Sequence, residues 1–549
     1  MRPQLLLAVT SLWLPSLAGA QGQDELVYYD WVDELGTLRG GHAWVTSASM
    51  ANLPAVPLSR VTTLAISSGG PTGNRVDMVF VGDGYTAGEL TTFANHASSQ
   101  AAAFFGMEPF ERYEPYFNVH QVDVISNESG VDNDPVQGID RDTAMGMRFW
   151  CSNIERLLCV NVGQAVAFAN QAPDVDYVIA VANSNKYGGA GYPTSNLGTV
   201  AGGNGSASQV MIHEMGHALG NLADEYTYGG PANYSGPEPS ARNSSTHDAA
   251  SMAAGGFKWA NWLSESFPGF DGLVSTFEGS SYSQFGVYRP TNNSCMRNLG
   301  RPFNMPSIEG ILIEIYKRVD PIDASSSENA TYGPDDVLFV TPMTLASGSP
   351  LDVQWFLDGN PIPGATGNQL DLSTLSLPGA HVVDVEVVDN TDWVRDEAAR
   401  AQWMTGSRSF TVQEPTVANY CTTSPNSLGA GAIMGSTGST SVSANDFTLQ
   451  VLSAAPNSSG IFYYGSNQIS LPFGNGVRCV GGGVFRLNVV TTDGTFGFAE
   501  KPIDLTAPPT PAGEILPGSI WNFQFWFRDT AAGGAGFNLS DGLSASFTL

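Results

Sequence analysis

Two histidines and a glutamate in the run Val210-Met-Ile-His-Glu-Met-Gly-His-Ala-Leu-Gly-Asn-Leu-Ala-Asp-Glu-Tyr226 are the residues of this chain best suited to metal chemistry. On a helix advancing about 100° per residue, His213 and His217 lie only about 40° apart on one face and can hold one ion together. Glu214 stands beside them as a general base. Such a His-Glu-x-x-His helix points to zinc-assisted hydrolysis, with the metal activating water and polarising a carbonyl.

Catalytic zinc commonly takes three protein ligands and keeps the fourth position for water, so the motif is one ligand short. The metzincin spacing would place a third histidine at position 223, which holds Ala223, and the next residues are Asp224 and Glu225. On an unbroken helix Asp224 would lie about 16 Å further along the axis than His213, out of reach of the ion. The helix must therefore break, and Gly220, which adopts positive φ without a Cβ penalty, is the expected place. Asp224 is the expected third ligand and Glu225 the alternative, with His247 and Glu265 as outsiders. A carboxylate at 224 could instead orient a ligand imidazole. Tyr226 could contact substrate or an oxyanion, although a structural role is the simpler reading.

The elements that must position these groups follow in a regular order. A buried strand at Val76–Thr86 leads to a helical pattern over 87–105, then a strand at Phe117–Ile125, a helix over 154–170 and a strand at Asp176–Ala182. The Gly-rich stretch Tyr187–Pro193 lacks the Gly-Lys-Ser/Thr ending of a phosphate loop and reads as a turn into an edge strand. An exposed edge before the active-site helix is where an extended peptide would pair. Downstream, Lys258–Leu263 reads as a packed aromatic element. Met296 sits in a tight polar turn, and Ser307–Arg318 reads as a helix ending before Pro321. A Met-bearing turn there is similar to the floor beneath a metzincin metal, with core filler as the plain alternative. The acidic loop Asn127–Pro135 offers oxygen ligands suited to Ca2+. Its spacing fits no EF-hand, and a solvated loop is the simpler reading.

The 549-residue chain is long enough for several domains, and its formal net charge of -29 argues against nucleic-acid binding, which needs clustered Lys and Arg. Residues 1–20 have the basic start, apolar run and small-x-small ending of a signal peptide. No later run is long and apolar enough to span a membrane. Exported life suits the cysteines: Cys151 with Cys159 and Cys421 with Cys479 are the expected disulfides, leaving Cys295 over. Residues 21–70 read as an N-terminal β segment or a propeptide. The catalytic α/β (α+β) domain then covers 71–322. Short alternating strands with a Trp suggest an immunoglobulin-like sandwich over 330–414, and an aromatic, Gly/Ser/Thr-rich all-β module covers 418–549.

Five segments in order, Phe80–Thr86, Pro109–His120 with Val122–Gly130, Tyr187-Gly-Gly, His213–His217 with Leu222–Tyr226, and Ser294–Arg297, resemble the IgA-peptidase family of secreted bacterial zinc metallopeptidases over about residues 70–320. The resemblance implies a zincin-like, metzincin-like fold, with His213 and His217 as zinc ligands, Glu214 as the catalytic residue, an acidic third ligand in Asp224-Glu225, and Met296 as the Met-turn. Ala223 departs from the wider metzincin pattern. The tail, with Tyr420–Asn426, Phe485–Leu487, Trp521–Asp529 and Gly536–Gly542, resembles an uncharacterised module at the ends of exported bacterial proteins. The expectation is a secreted endopeptidase acting on extracellular proteins. The competing readings are an adhesion protein using the fold as scaffold and a zinc amidohydrolase of cell-wall material.

Overall fold

One eight-stranded sheet organises the part of the chain that carries the motif. Its strands are Asp24–Val32 (β1), Leu38–Thr46 (β2), Val61–Ser68 (β3), Val76–Asp83 (β4), Phe117–Val124 (β5), Tyr177–Ala182 (β6), Gly189–Tyr192 (β7) and Leu197–Ala201 (β8). They lie in the order β2-β1-β7-β8-β6-β4-β5-β3. The computed structural model describes residues 24–32, 38–46, 61–227, 232–270, 272–377, 379–413 and 417–549, so the expected leader at 1–20 lies outside the described residues.

β4 and β6 read as unbroken apolar runs because both faces are covered, and every residue of each is buried. β5, β4, β6 and β8 run parallel, and β7 turns back antiparallel to β8. The helices Leu90–Phe104 (α1), Val162–Ala169 (α2) and Ala207–Ala218 (α3) alternate with these strands. At the entry to α1, Thr86 donates to Glu89 Oε2 from its backbone N–H at 2.9 Å and from its hydroxyl at 2.7 Å. The helix expected over 154–170 forms only at its end. The Cys151–Cys159 disulfide and the bridge between Arg148 and Cys159 hold the preceding residues in a loop, and Asn161 caps α2 by accepting from Gln164 N at 3.2 Å.

The Gly-rich stretch expected to turn into an edge strand is instead the strand β7 itself. A Cβ on Gly189 would stand 2.8 Å from Val210 Cγ1, and one on Gly191 would collide with Glu214 Oε2. Glycine is therefore what lets α3 lie close against this strand.

At the C-terminal end of β4, the fully buried carboxylate of Asp83 gathers the 126–147 loop. It accepts from Met145 N at 2.9 Å, Met147 N at 2.7 Å and Thr143 Oγ1 at 2.9 Å. The proposed calcium loop just before it folds on itself in a similar way. Glu128 accepts from Asp142 N at 2.7 Å, Asn127 donates to Asp142 at 2.8 Å, and Asn133 accepts from Gly138 N at 2.8 Å. Among the described residues, no three acidic, His or Cys side chains converge there as a metal group would require.

Beyond α3 come Ala249–Gly255 (α4), the hairpin Phe277–Ser280 (β9) and Ser283–Arg289 (β10), and Met305–Tyr316 (α5). Trp259 and Trp262 of the expected aromatic element are buried. Residues up to Pro321 form one compact unit together with Met343–Leu351 and Val388–Thr405, segments that fall inside the stretch read from sequence as a sandwich. Within this unit Asp389 accepts from Tyr113 at 2.6 Å and Tyr316 at 2.8 Å. Glu309 of α5 accepts from the backbone of Arg395 at 2.7 Å and of Asp396 at 2.8 Å, and from Trp262 Nε1 at 2.9 Å.

The second unit is all β apart from single helical turns. Ile322–Ser325, Val337–Pro342 and Gln369–Asp371 form a three-stranded sheet, and a five-stranded sheet includes Asp352–Leu357, Ala380–Val388 and Thr405–Gln413. The buried Trp355 donates to Gly367 O at 2.8 Å. The C-terminal residues add a five-stranded and a three-stranded sheet. Trp521, Phe523, Phe525 and Phe527 alternate into their shared core because successive strand residues face opposite ways. The chain is thus multidomain and mostly β, with six α-helices among the described residues. Cys421 pairs with Cys479, and Cys295 is free and buried. No helix among the described residues is long and apolar enough to cross a membrane.

Two measurements test this framework. Asp83→Ala leaves two buried backbone donors unpaired and should cost about 3 kcal/mol or more in a denaturant titration; unchanged stability would remove Asp83 as the loop's anchor. Burial, partly offset by the hydrogen bond from Asn118, pushes the Asp77 carboxyl up to about 6. Because this lies above its ordinary value of 3.8, the stability it contributes is complete below about pH 4 and is lost as pH rises through about 6. Asp77→Asn should therefore gain on the parent chain by about 2–4 °C in melting temperature between pH 4 and pH 7; a difference independent of pH would contradict the shift.

Candidate metal centre

α3 buries Val210, Met211, Ile212 and Met215 in the unit's core, and this fixes the rotation that turns His213, Glu214 and His217 toward β7 and the following loop. The helix stops at Ala218, but the left-handed residue that turns the chain is Asn221, with φ 48°, rather than the expected Gly220. Asparagine tolerates this region better than most residues. Gly220 serves close approach instead, since a Cβ there would stand 2.7 Å from Ile311 Cγ1 and 2.8 Å from the Gly216 carbonyl.

The chain then returns through residues 221–227, which form no helix or strand. Asp224 faces the histidines, with Oδ1 at 3.2 Å from Nε2 of both His213 and His217. Its other oxygen accepts a hydrogen bond from Tyr282. Glu225 faces away. It accepts from Asn304 at 2.8 Å and Asn243 at 3.0 Å on one oxygen and from Ser294 at 2.7 Å on the other, and it is not brought to the histidines. His247 is also elsewhere, stacked on Phe257, and Glu265 pairs with Arg395 at 3.7 Å.

Each imidazole is oriented through Nδ1. His213 donates to the Cys295 carbonyl at 3.0 Å and His217 to the Leu222 carbonyl at 2.7 Å. A carbonyl can only accept, so both Nδ1 atoms carry a proton, and the two Nε2 atoms, 3.2 Å apart, are the ones turned toward the carboxylates. Met296, next to Cys295, lies under α3, where a Cβ on Gly216 would stand 2.6 Å from its Sδ. Its carbonyl accepts from Glu225 N at 2.8 Å, which ties the turn to the segment carrying Asp224.

A fourth group, one the motif did not indicate, completes the cluster. Asp30 of β1 is 3% exposed and places Oδ2 at 3.0 Å from His213 Nε2. Tyr226 donates to its other oxygen, so this tyrosine holds Asp30 here rather than standing open to substrate. Asp30, His213, His217 and Asp224 each offer one ligand atom, all within 4.8 Å of one another, and no other such group of three or more occurs among the described residues. Asp30 Oδ2, Asp224 Oδ1 and both Glu214 oxygens are buried and accept no hydrogen bond. Two imidazole nitrogens and two carboxylate oxygens converging away from water constitute a potential metal-binding group, because one cation can satisfy them together.

The carboxylates favour positive charge on both imidazoles. Burial works against charge on His217, yet Asp224 outweighs it and lifts the imidazole to about 9. At His213 burial is likewise outweighed, by Asp30 and Asp224. Burial first, then the charge of Asp30, pushes Glu214 up to about 8. Asp224 is held far below the carboxylate range, since the histidines more than offset its burial.

Residues 64–270 match the family model described as IgA Peptidase M64. The matched stretch includes β4 to α3 and Asp224, and it excludes both Asp30 and Met296. No curated protein matches the chain. Among solved structures, the fibronectin(III)-like modules of Clostridium thermocellum CbhA are similar at 10% identity, over 40% of this chain and 90% of that one, with a TM-score of 0.11 that supports no argument about fold.

Asp224→Ala should weaken metal binding at least about 100-fold, whereas Glu225→Gln should keep full metal content. Metal analysis after dialysis decides: retention by the first variant, or loss by a folded second, would reverse the two roles.

Proposed function

We propose, on the premise that residues 64–270 belong to the IgA-peptidase family, that this chain is a secreted zinc-dependent endopeptidase acting on extracellular proteins. The supporting observation is the buried convergence of His213, His217 and Asp224 with Glu214 alongside. Two imidazoles and one carboxylate are a donor set suited to catalytic zinc. When bound there, zinc would supply an acidified water and a Lewis acid for the scissile carbonyl.

The chain's own residues supply the rest. The Cys295 and Leu222 carbonyls hold the two imidazoles with Nε2 forward, and Tyr282 steadies Asp224. Glu214, buried beside the histidines with both oxygens unpartnered, is placed to take a proton from water and return it to the leaving amine. The Gly191 position brings β7 against this carboxylate, with β1 paired on the strand's other side. The same proposal assigns 71–322 to a zincin-like domain with Met296 as its Met-turn. Residues 330–414 become an immunoglobulin-like module and 418–549 a further exported β module, behind a signal peptide at 1–20. The two disulfides suit an oxidising compartment.

In an Asp30→Ala background, which frees the fourth position of the centre, Glu214→Gln should retain one zinc per chain and lose at least about 100-fold in cleavage of denatured protein, and a chelator should abolish cleavage until zinc is restored. Turnover by the zinc-loaded variant, or by the chelated protein, would refute the mechanism.

A further inference from the structure

The N-terminal hairpin does more than widen the sheet. β1 and β2 pair from Asp24 opposite Thr46 to Val32 opposite Leu38, and β1 seats antiparallel on β7 with Tyr28 opposite Gly191. Without the hairpin, β7 would be the open edge beside Glu214 on which an extended peptide could pair. β1 occupies that edge. Its side chains enter the centre: the Tyr28 ring stacks on His217 with centroids 6.0 Å apart, and Asp30 reaches His213 Nε2 at 3.0 Å.

The hairpin is also shaped for this contact. Gly40 of β2 lies opposite Asp30, and a Cβ on it would collide with both Asp30 Oδ1 and the Tyr226 hydroxyl. Glycine at this position allows Tyr226 to clamp the Asp30 carboxylate. The second oxygen, Oδ2, is left buried, without a hydrogen-bond donor, and aimed at the histidines. Catalytic zinc needs a position free of protein for water or substrate, whereas four protein ligands are the mark of a closed site.

We infer that the β1–β2 hairpin is an autoinhibitory plug: it lies in the peptide-binding edge and supplies the Asp30 carboxylate as a fourth ligand, so the centre is latent while the hairpin is seated. This rests on the metallopeptidase reading of the same residues. Hairpin and catalytic core belong to one chain, so the plug acts at high effective concentration and release requires its displacement or removal.

The test uses the full-length chain loaded with cobalt(II), whose visible spectrum reports ligand exchange, titrated with acetohydroxamate. The wild-type spectrum should resist the hydroxamate. Asp30→Ala should bind it at least about tenfold more tightly, as expected when a plug that is open less than a tenth of the time is lost. Asp30→Asn, which keeps an oxygen for Tyr226, and Gly40→Val, which dislodges Asp30 without altering it, should do the same, with melting curves confirming that each variant is folded. Equal hydroxamate affinity in wild type and in the folded variants, with cobalt bound in all, overturns the plug and leaves the metallopeptidase reading standing. Failure of the wild-type chain to bind cobalt or zinc overturns both.

Discussion

Two imidazole nitrogens held 3.2 Å apart inside the protein, beside buried carboxylates, are the constraint on which the surrounding unit depends. Such an arrangement is unfavourable unless other groups fix the rings and a cation can satisfy them. The fixing groups are backbone carbonyls, from Cys295 for His213 and from Leu222 for His217. Both come from irregular chain outside α3. The helix therefore sets the spacing of the histidines, and the turns around it set their direction. Gly216 and Gly220 are the points where those turns approach, with Met296 against the first and Ile311 against the second.

Four carboxylates are buried around this centre, and each is accommodated differently. Glu225 is satisfied by Asn304, Asn243 and Ser294, so its charge belongs to a structural network. Asp224 is stabilised by the histidines and by Tyr282, and Asp30 is clamped by Tyr226. Glu214 alone has no partner for either oxygen, and burial, with the charge of Asp30, raises its proton affinity. Adjacent residues 224 and 225 thus have opposite roles because different partners hold their side chains.

The same economy recurs away from the centre. Asp83 holds a long loop at the end of β4, and Asp389 and Glu309 fasten the 388–405 segment onto residues far back in the chain. Buried acids taking backbone and tyrosine donors serve here as joints, and they make compact units that do not follow chain order.

The amino-acid sequence by itself determined the parts governed by local rules. Helical spacing marked His213, Glu214 and His217, and apolar runs marked β4, β5 and β6. The break after α3 and the acidic candidates Asp224 and Glu225 were legible because ligand geometry demands a turn. Cysteine placement suggested both disulfides, which form. Local rules could not choose between Asp224 and Glu225 or name Asn221 as the left-handed residue, because backbone φ and side-chain direction there depend on Asn243, Asn304, Ser294 and Tyr282. The glycines of β7 resembled a turn because nothing nearby in sequence shows that α3 lies against them. Asp30 was invisible for the same reason. It is 183 residues before His213, in a strand whose place on β7 follows from long-range pairing, and only the tertiary structure brings its carboxylate to the histidines.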